Sequence, residues 1–294
     1  MSFDLGVLLR AKNFNLTTEH LRDSRPDRDT ENALWQDSSG PLRLSRVESS
    51  VSTHYRLHLD ADVAVDILPD RQLRILASPE IPGITIEHFL ADQVVPRLVA
   101  QDGDLVLHSG AILVEGKAIL ILGESGRGKS TLVTSFHCHG WPLMGDDACK
   151  VSTDPAPSAE ALYPSLRLFA DSIAALLPSD APTQEMAHYS DKLRISATFE
   201  KIESGPSPIE SIFVLGEPSA IGIDVVPLTI AEACMAIVEN SFALDPTDPQ
   251  RARQRLKAAS DLARQVPAFA LSYPRDYARL PEVRDAILGA LRGD

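Results

Sequence analysis

The chain is short of several things, and each shortage removes a class of protein. Only 3 of its 294 residues are cysteine, and Cys138, Cys149 and Cys234 lack the spacing of a zinc site. Three thiols cannot staple a small secreted fold, so a reduced, cytoplasmic protein is expected. No apolar run approaches the roughly 18 residues of a membrane span. The longest, such as 118–122, are strand-sized. The N-terminal segment has no basic stretch ahead of a long apolar one and does not read as a signal peptide. Positive charge is scarce too: 28 Lys and Arg face 41 Asp and Glu, a net charge of −13. A field of that sign disfavours nucleic acid and anionic membrane as partners. What remains is an ordinary globular balance, 44% hydrophobic and 23% charged, which excludes wholesale disorder. The length is enough to bury a real core in one large domain or two small ones.

Along the chain, residues 1–16 alternate weakly and suggest one or two strands, whereas 17–41 are polar and read as a loop. From 42 to 81 the period becomes two, with Tyr55, Leu57 and Leu59, then Val63, Val65 and Ile67, then Leu73, Ile75 and Ala77 on one side. That pattern predicts antiparallel strands. Residues 86–100 read as a helix interrupted by Pro96. Short buried strands are expected at 105–108, 111–114, 118–122 and 143–144, with a helix over 130–139 closed by Gly140. A loop follows at 153–160, a helix at 171–177, a loop at 178–185, and strands at 193–195 and 212–215. Helices are expected at 230–242, 250–265 and 282–291. Strands first, a mixed centre and helices last predict an α/β core behind a β-rich N-terminal lobe.

The chemistry centres on Gly123-Glu124-Ser125-Gly126-Arg127-Gly128-Lys129-Ser130, which fits G-x-x-x-x-G-K-[ST] between an expected strand and an expected helix. Glycines let backbone N–H groups turn inward around phosphate oxygens, and the helix N-terminus adds its dipole. Lys129 would reach the β- and γ-phosphates and the Ser130 hydroxyl would meet Mg²⁺. Asp146 and Asp147 lie 17 and 18 residues beyond Lys129, the length of a helix, a turn and a strand. Of two such carboxylates, one can hold Mg²⁺ and the other can take a proton from an attacking hydroxyl.

His108, the glycine-rich segment and Gly145-Asp146-Asp147 together resemble the catalytic core of the HPr serine kinase/phosphorylase family, whose nucleotide core is similar to that of PEP carboxykinase. The block 102–151 carries this resemblance. The stretches 89–96, 163–168, 191–194 and 271–276 resemble the HPr-kinase-related group of small bacterial kinases, which includes enzymes that tailor lasso peptides by phosphorylating a C-terminal serine. Thr131 stands where the bifunctional enzymes carry an acidic residue, and their Glu-Val/Ile-Arg-Gly segment is not found. These departures set the chain apart from phosphorylase activity and from HPr as a substrate.

The resemblance implies an α/β fold with a PEP-carboxykinase-like phosphate-loop core over 101–294, helical at its C-terminal end. The alternating pattern places a β-rich lobe at 1–100 with a helix near 86–100. The resemblance implies an ATP- and Mg²⁺-dependent kinase that transfers the γ-phosphoryl group to a hydroxyl, foremost a serine of a peptide or small protein. Gly123, Glu124, Ser125, Gly126, Arg127, Gly128, Lys129, Ser130 and Thr131 would hold the nucleotide. Ser130 and Asp147 would hold Mg²⁺ and Asp146 would act as base, with the reverse division of the two acids left open, and His108 falls at the family's active-site histidine. Lys192 and Arg194 are candidates for substrate or phosphate contacts. Relatives are often hexamers, so a homo-oligomer fits. Two other readings stand beside this one: a metabolite kinase, and a nucleotide-sensing switch with no acceptor. The His137-Cys138-His139 cluster reads as structural, since i and i+2 do not share a helix face. The segment 273–276 reads as packing first, with an arginine offered to substrate as the alternative.

Overall fold

The computed structural model describes residues 14–20, 30–36, 41–48, 52–59, 62–163, 166–185, 190–195, 205–217 and 221–293. The alternating stretch and two polar segments before it form one six-stranded sheet. It contains β1 (Asn15–His20), β2 (Thr30–Gln36), β3 (Arg43–Glu48), β4 (Thr53–His58), β5 (Val63–Ile67) and β6 (Gln72–Ala77). Their order is β1-β6-β5-β4-β3-β2, antiparallel throughout except that β1 runs parallel to β6. Leu57, Val65, Leu73 and Ile75 point to the buried face, as period two requires. β2 falls inside the stretch 17–41 expected to be a loop, and β1 begins in the stretch 1–16 where strands are expected and runs on into it. Both are edge strands. An edge strand bonds to one neighbour only and tolerates polar side chains, so Asn15–His20 and Thr30–Gln36 carry little apolar signal. The strands expected before residue 14 lie outside the described residues.

The helix expected near 86–100 is three pieces. α1 (Gly83–Phe89) runs into a π-helical turn (Leu90–Val94) and then α2 (Val95–Gln101). Pro96 sits in the first turn of α2, where its missing N–H costs least. The widened turn just before it relieves the clash its ring would make in a regular helix. Phe89, Leu90, Val94 and Leu98 cover the six-stranded sheet.

The second sheet holds β7 (Leu105–Leu107), β8 (Gly110–Val114), β9 (Lys117–Leu122), β10 (Leu143–Gly145), β11 (Cys149–Ser152) and β12 (Ser158–Ala161). A small sheet of β13 (Arg167–Leu168), β14 (Thr183–Gln184) and β15 (Leu193–Ile195) stands beside it, ordered β13-β15-β14. β16 (Ser207–Leu215), β17 (Asp224–Pro227) and β18 (Ala268–Ser272) complete the large sheet. Its path is β10-β8-β9-β16-β12-β11-β7, with β18 beside β16 and β17 beside β18. β9, β16 and β18 are parallel, so their C-terminal ends share one edge.

Helices cover both faces of this sheet: α3 (Lys129–His137), α4 (Ala170–Leu176), α5 (Ile230–Glu239), α6 (Pro249–Gln265) and α7 (Leu280–Arg292). β9 shows why its sequence is continuously apolar. Ala118, Leu120 and Leu122 pack with α5 and α6, while Ile119 and Ile121 pack with α3 and α7. Each such fully buried Leu or Ile contributes roughly 1.5–3 kcal/mol. α5 starts at a capping box in which Thr229 Oγ1 accepts from the Glu232 N–H and Glu232 accepts from the Thr229 N–H. α6 starts at Asp248 followed by Pro249. The result is a mixed α/β protein, and among the described residues no helix is long and apolar enough to cross a membrane.

Further strands differ from the sequence reading. β12 occupies part of the expected loop at 153–160 and β14 part of that at 178–185; the small residues of β12 carry no β-branched signal. β17 and β18 fall outside the helices expected at 230–242, 250–265 and 282–291, in stretches given no element. A short apolar run such as Ala268–Ser272 has no period that separates strand from helix.

Candidate functional site

Residues 123–128 join the end of β9 to the start of α3. Gly128 precedes α3 at φ 101°, a left-handed conformation, and a Cβ there would lie 3.0 Å from the Tyr273 hydroxyl. Lys129 is buried, and its Nζ donates to the Gly123 carbonyl at 2.5 Å and the Glu124 carbonyl at 3.1 Å. Burial lowers its pKa to about 8 against the pull of Asp146 and Asp147. Asn240, at the end of α5, ties the loop to the strand beyond it. Its Oδ1 accepts from the Gly123 N–H at 3.0 Å, and its carbonyl accepts from the His108 N–H at 2.7 Å.

The two acids follow β10. Gly145 is needed because a Cβ there would lie 2.6 Å from the Ala161 Cβ. Asp146 is buried beside the Ser130 side chain. Burial first, then the neighbouring Asp147, push its pKa up to about 6. Asp147 has a left-handed backbone, φ 83°, and a different partner. Arg167 Nε donates to Asp147 Oδ2 at 2.7 Å, and Nη2 reaches the same oxygen. Arg167 Nη1 bonds Asp92 Oδ2, and the Tyr163 hydroxyl donates to Asp92 Oδ1 at 3.1 Å. Burial alone would raise Asp147, but Arg167 and Lys192 offset it and hold the carboxyl below its usual range. Burial raises Asp92, although Arg167 opposes the shift. Arg167 is thus a buried cation between two carboxylates, one from the π-helical turn and one from the end of β10.

A cavity of about 340 Å³ lies between the loop and the acids. Ser125, Gly126, Gly128, Lys129, Ser130 and Thr131 line one side, and His108, Asp147, Arg167 and Lys192 line another. Burial, then Lys129, hold the His108 pKa down to about 3, so its imidazole is neutral. Tyr273, Arg275, Asp276 and Tyr277, from the turn after β18, close the remaining side. Arg275 bonds the Gly126 carbonyl. The Ser130 hydroxyl and the neighbouring Asp146 carboxylate are hard oxygen donors of the kind Mg²⁺ prefers.

Not every expected residue reaches the cavity. Arg127 is tied to Glu124, with Nη2–Oε2 at 2.6 Å, and to Glu217, with Nη2–Oε1 at 2.8 Å. Neither Arg127 nor Glu124 lines the cavity, and Gly123 contributes its carbonyl to Lys129 instead. Arg194 turns toward Glu87, at 3.7 Å, and His88, at 3.5 Å. His137 and His139 bond backbone carbonyls of Trp141 and Ser135. Among the described residues no group of three or more His, Cys, Asp or Glu could hold a metal by itself. Tyr273, Arg275 and Asp276, from the segment read as packing first, border the cavity. The sequence pattern does not single out Asp92, Tyr163, Arg167 or Asn240. The first three lie in stretches that carry the family resemblance, and that is the signal by which they could be found.

No family model matches the chain, and no curated protein matches it. Among solved structures, the Hpr(Ser) kinase/phosphatase from Coxiella burnetii is similar at 12% identity and a TM-score of 0.34, covering 64% of this chain and 97% of that one. A likeness at that score carries no argument about the chemistry of the site.

Proposed function

We propose that the chain is an ATP- and Mg²⁺-dependent phosphotransferase acting on a hydroxyl, with a serine of a peptide or small protein as the favoured acceptor. The observation that carries this reading is the meeting, in one cavity, of a glycine-rich loop, the buried Lys129, and Asp147 fixed by Arg167. The loop backbone at 125–131 cradles the phosphates. Lys129 exchanges its two carbonyl partners for phosphate oxygens, and the anion restores the charge that burial disfavours. Ser130 and Asp146 hold Mg²⁺, which supplies charge neutralisation on the phosphate oxygens.

Asp147 faces the acceptor and takes its hydroxyl proton. This reverses the expected division between the two acids. Asp147 lines the cavity and Asp146 does not, while Asp146 sits beside Ser130. A carboxylate held below its usual range stays ionised, a weak base that takes up the proton only as the phosphoryl group leaves ATP. Lys192, on the same wall, faces the charge that develops during transfer.

The test is transfer of γ-labelled phosphate from ATP·Mg²⁺ into a size-fractionated lysate of the source organism. Label in a peptide or protein fraction, lost with Lys129→Ala, is the expected result. Label only in small molecules would give a metabolite kinase instead. Undiminished transfer by Lys129→Ala would overturn the mechanism.

A further inference from the structure

The loop after β18 makes a wall that the chemistry of phosphoryl transfer does not use. β9, β16 and β18 are parallel, so the turn after β18 opens on the same edge as the glycine-rich loop after β9. Ligands of open α/β sheets sit at that edge. Three hydroxyls join this turn to the loop. Thr131 Oγ1 lies 3.1 Å from Ser172 Oγ, and Ser172 Oγ lies 3.0 Å from the Tyr277 hydroxyl. The Tyr277 hydroxyl also donates to Asp171 Oδ2 at 3.0 Å. Both ends of the Tyr277 side chain are therefore placed: its backbone by the 3₁₀ turn Tyr277–Arg279, capped by Asp276, and its hydroxyl by α4. Yet the residue remains 37% exposed and borders the cavity. An aromatic ring fixed in tilt but open on a face is a stacking platform.

Direction comes from the loop. Lys129 and Ser130 are the residues for the distal phosphates, and Thr131, one residue further into α3, borders the proximal end. A nucleoside attached there leads away from the acids and toward Ser172 and Tyr277. We infer that Tyr277 is the nucleobase platform of this site, its ring stacking on the base of a nucleoside triphosphate, with Asp171 and Ser172 holding the ring. The inference rests on the reading of residues 123–130 as a phosphate loop.

The experiment compares dissociation constants for ATP·Mg²⁺ and for tripolyphosphate·Mg²⁺, which carries the phosphates without a base. Stacking on an aromatic is lost on truncation, so Tyr277→Ala should weaken ATP about 5- to 150-fold. Tripolyphosphate binding should stay unchanged. Tyr277→Phe and Tyr277→Trp, which keep a ring, should retain most of the ATP affinity. The fluorescence of Tyr277→Trp should change on adding ATP and much less on adding tripolyphosphate. Equal losses for both ligands in Tyr277→Ala would mean that Tyr277 acts through the loop, and would overturn the inference. So would unchanged ATP binding in Tyr277→Ala, or full loss in the ring-keeping variants with their folds intact. Failure of the wild type to bind either ligand is a distinct result, which removes the phosphate-loop reading and this inference with it.

Discussion

The two sides of the cavity are built by opposite means. The loop side presents mostly backbone: residues 123–128 are contiguous, and their shape depends on glycines and on side chains that bond the loop backbone, with Asn240 accepting from the Gly123 N–H and Lys129 and Arg275 donating to loop carbonyls. The acid side is all side chain. Asp92, Asp147 and Arg167 arrive from three places in the chain and form a buried Asp–Arg–Asp triad, with the Tyr163 hydroxyl donating to Asp92. Backbone donors need no charged partner and cost little when left facing water. A buried ion triad costs several kcal/mol to desolvate and is seldom more stable than an apolar replacement. That the chain keeps it beside the cavity argues that Arg167 is there to position Asp147.

The largest expected effect breaks the acid side. Arg167→Met leaves Asp92 and Asp147 buried without their cation and should lower stability by about 3–5 kcal/mol in a denaturant titration. Adding Asp92→Leu removes one orphaned charge and should recover part of that stability. Transfer should stay lost in both, because Asp147 is no longer held. Recovery of stability and transfer together would show that the triad is structural only.

A second effect, of intermediate size, lies behind the triad. His88 is fully buried, and burial, then Arg194 and Arg167, lower its pKa to about 4. In the unfolded chain it protonates near 6.5 while in the fold it stays neutral, so the unfolded state binds the extra proton between those values. Stability should therefore fall as pH drops from about 6.5 toward 4, and His88→Gln should flatten that slope. An unchanged slope in the variant would assign the acid sensitivity elsewhere.

The smallest effect should come from the loop side. Arg127 is engaged with Glu124 and Glu217 outside the cavity. Exposed ion pairs contribute little, so Arg127→Ala should transfer phosphate within about twofold of wild type. A large loss would mean that its guanidinium swings in to the phosphates.

The same contrast decides what could be read from the sequence. The loop side was legible because its determinants are neighbours: glycines at fixed offsets, then Lys129 and Ser130, between an apolar strand and a helix. Period two gave β3 to β6 for a similar local reason. The acid side was half legible. Asp146 and Asp147 stood out by their distance from Lys129, but nothing local in Arg167 tells that it will be buried between two acids 20 and 75 residues away. Residues 273–276 read as packing because β18, the parallel strand that delivers them to the edge, is a five-residue apolar run with no telling period. The division between the two acids stayed open for the same reason: nothing in two adjacent residues tells that Asp147 will line the cavity while Asp146 is buried beside Ser130.

The most direct measurement pairs ATP·Mg²⁺ binding with phosphate transfer on wild type and Asp147→Asn. The amide keeps the shape of the side chain and removes the proton acceptor. The account predicts that Asp147→Asn still binds ATP·Mg²⁺ with affinity close to wild type, while transfer of the γ-phosphoryl group falls by about 10²–10⁴-fold. Transfer at the wild-type rate by that variant, or its loss only in step with ATP binding, would contradict the account.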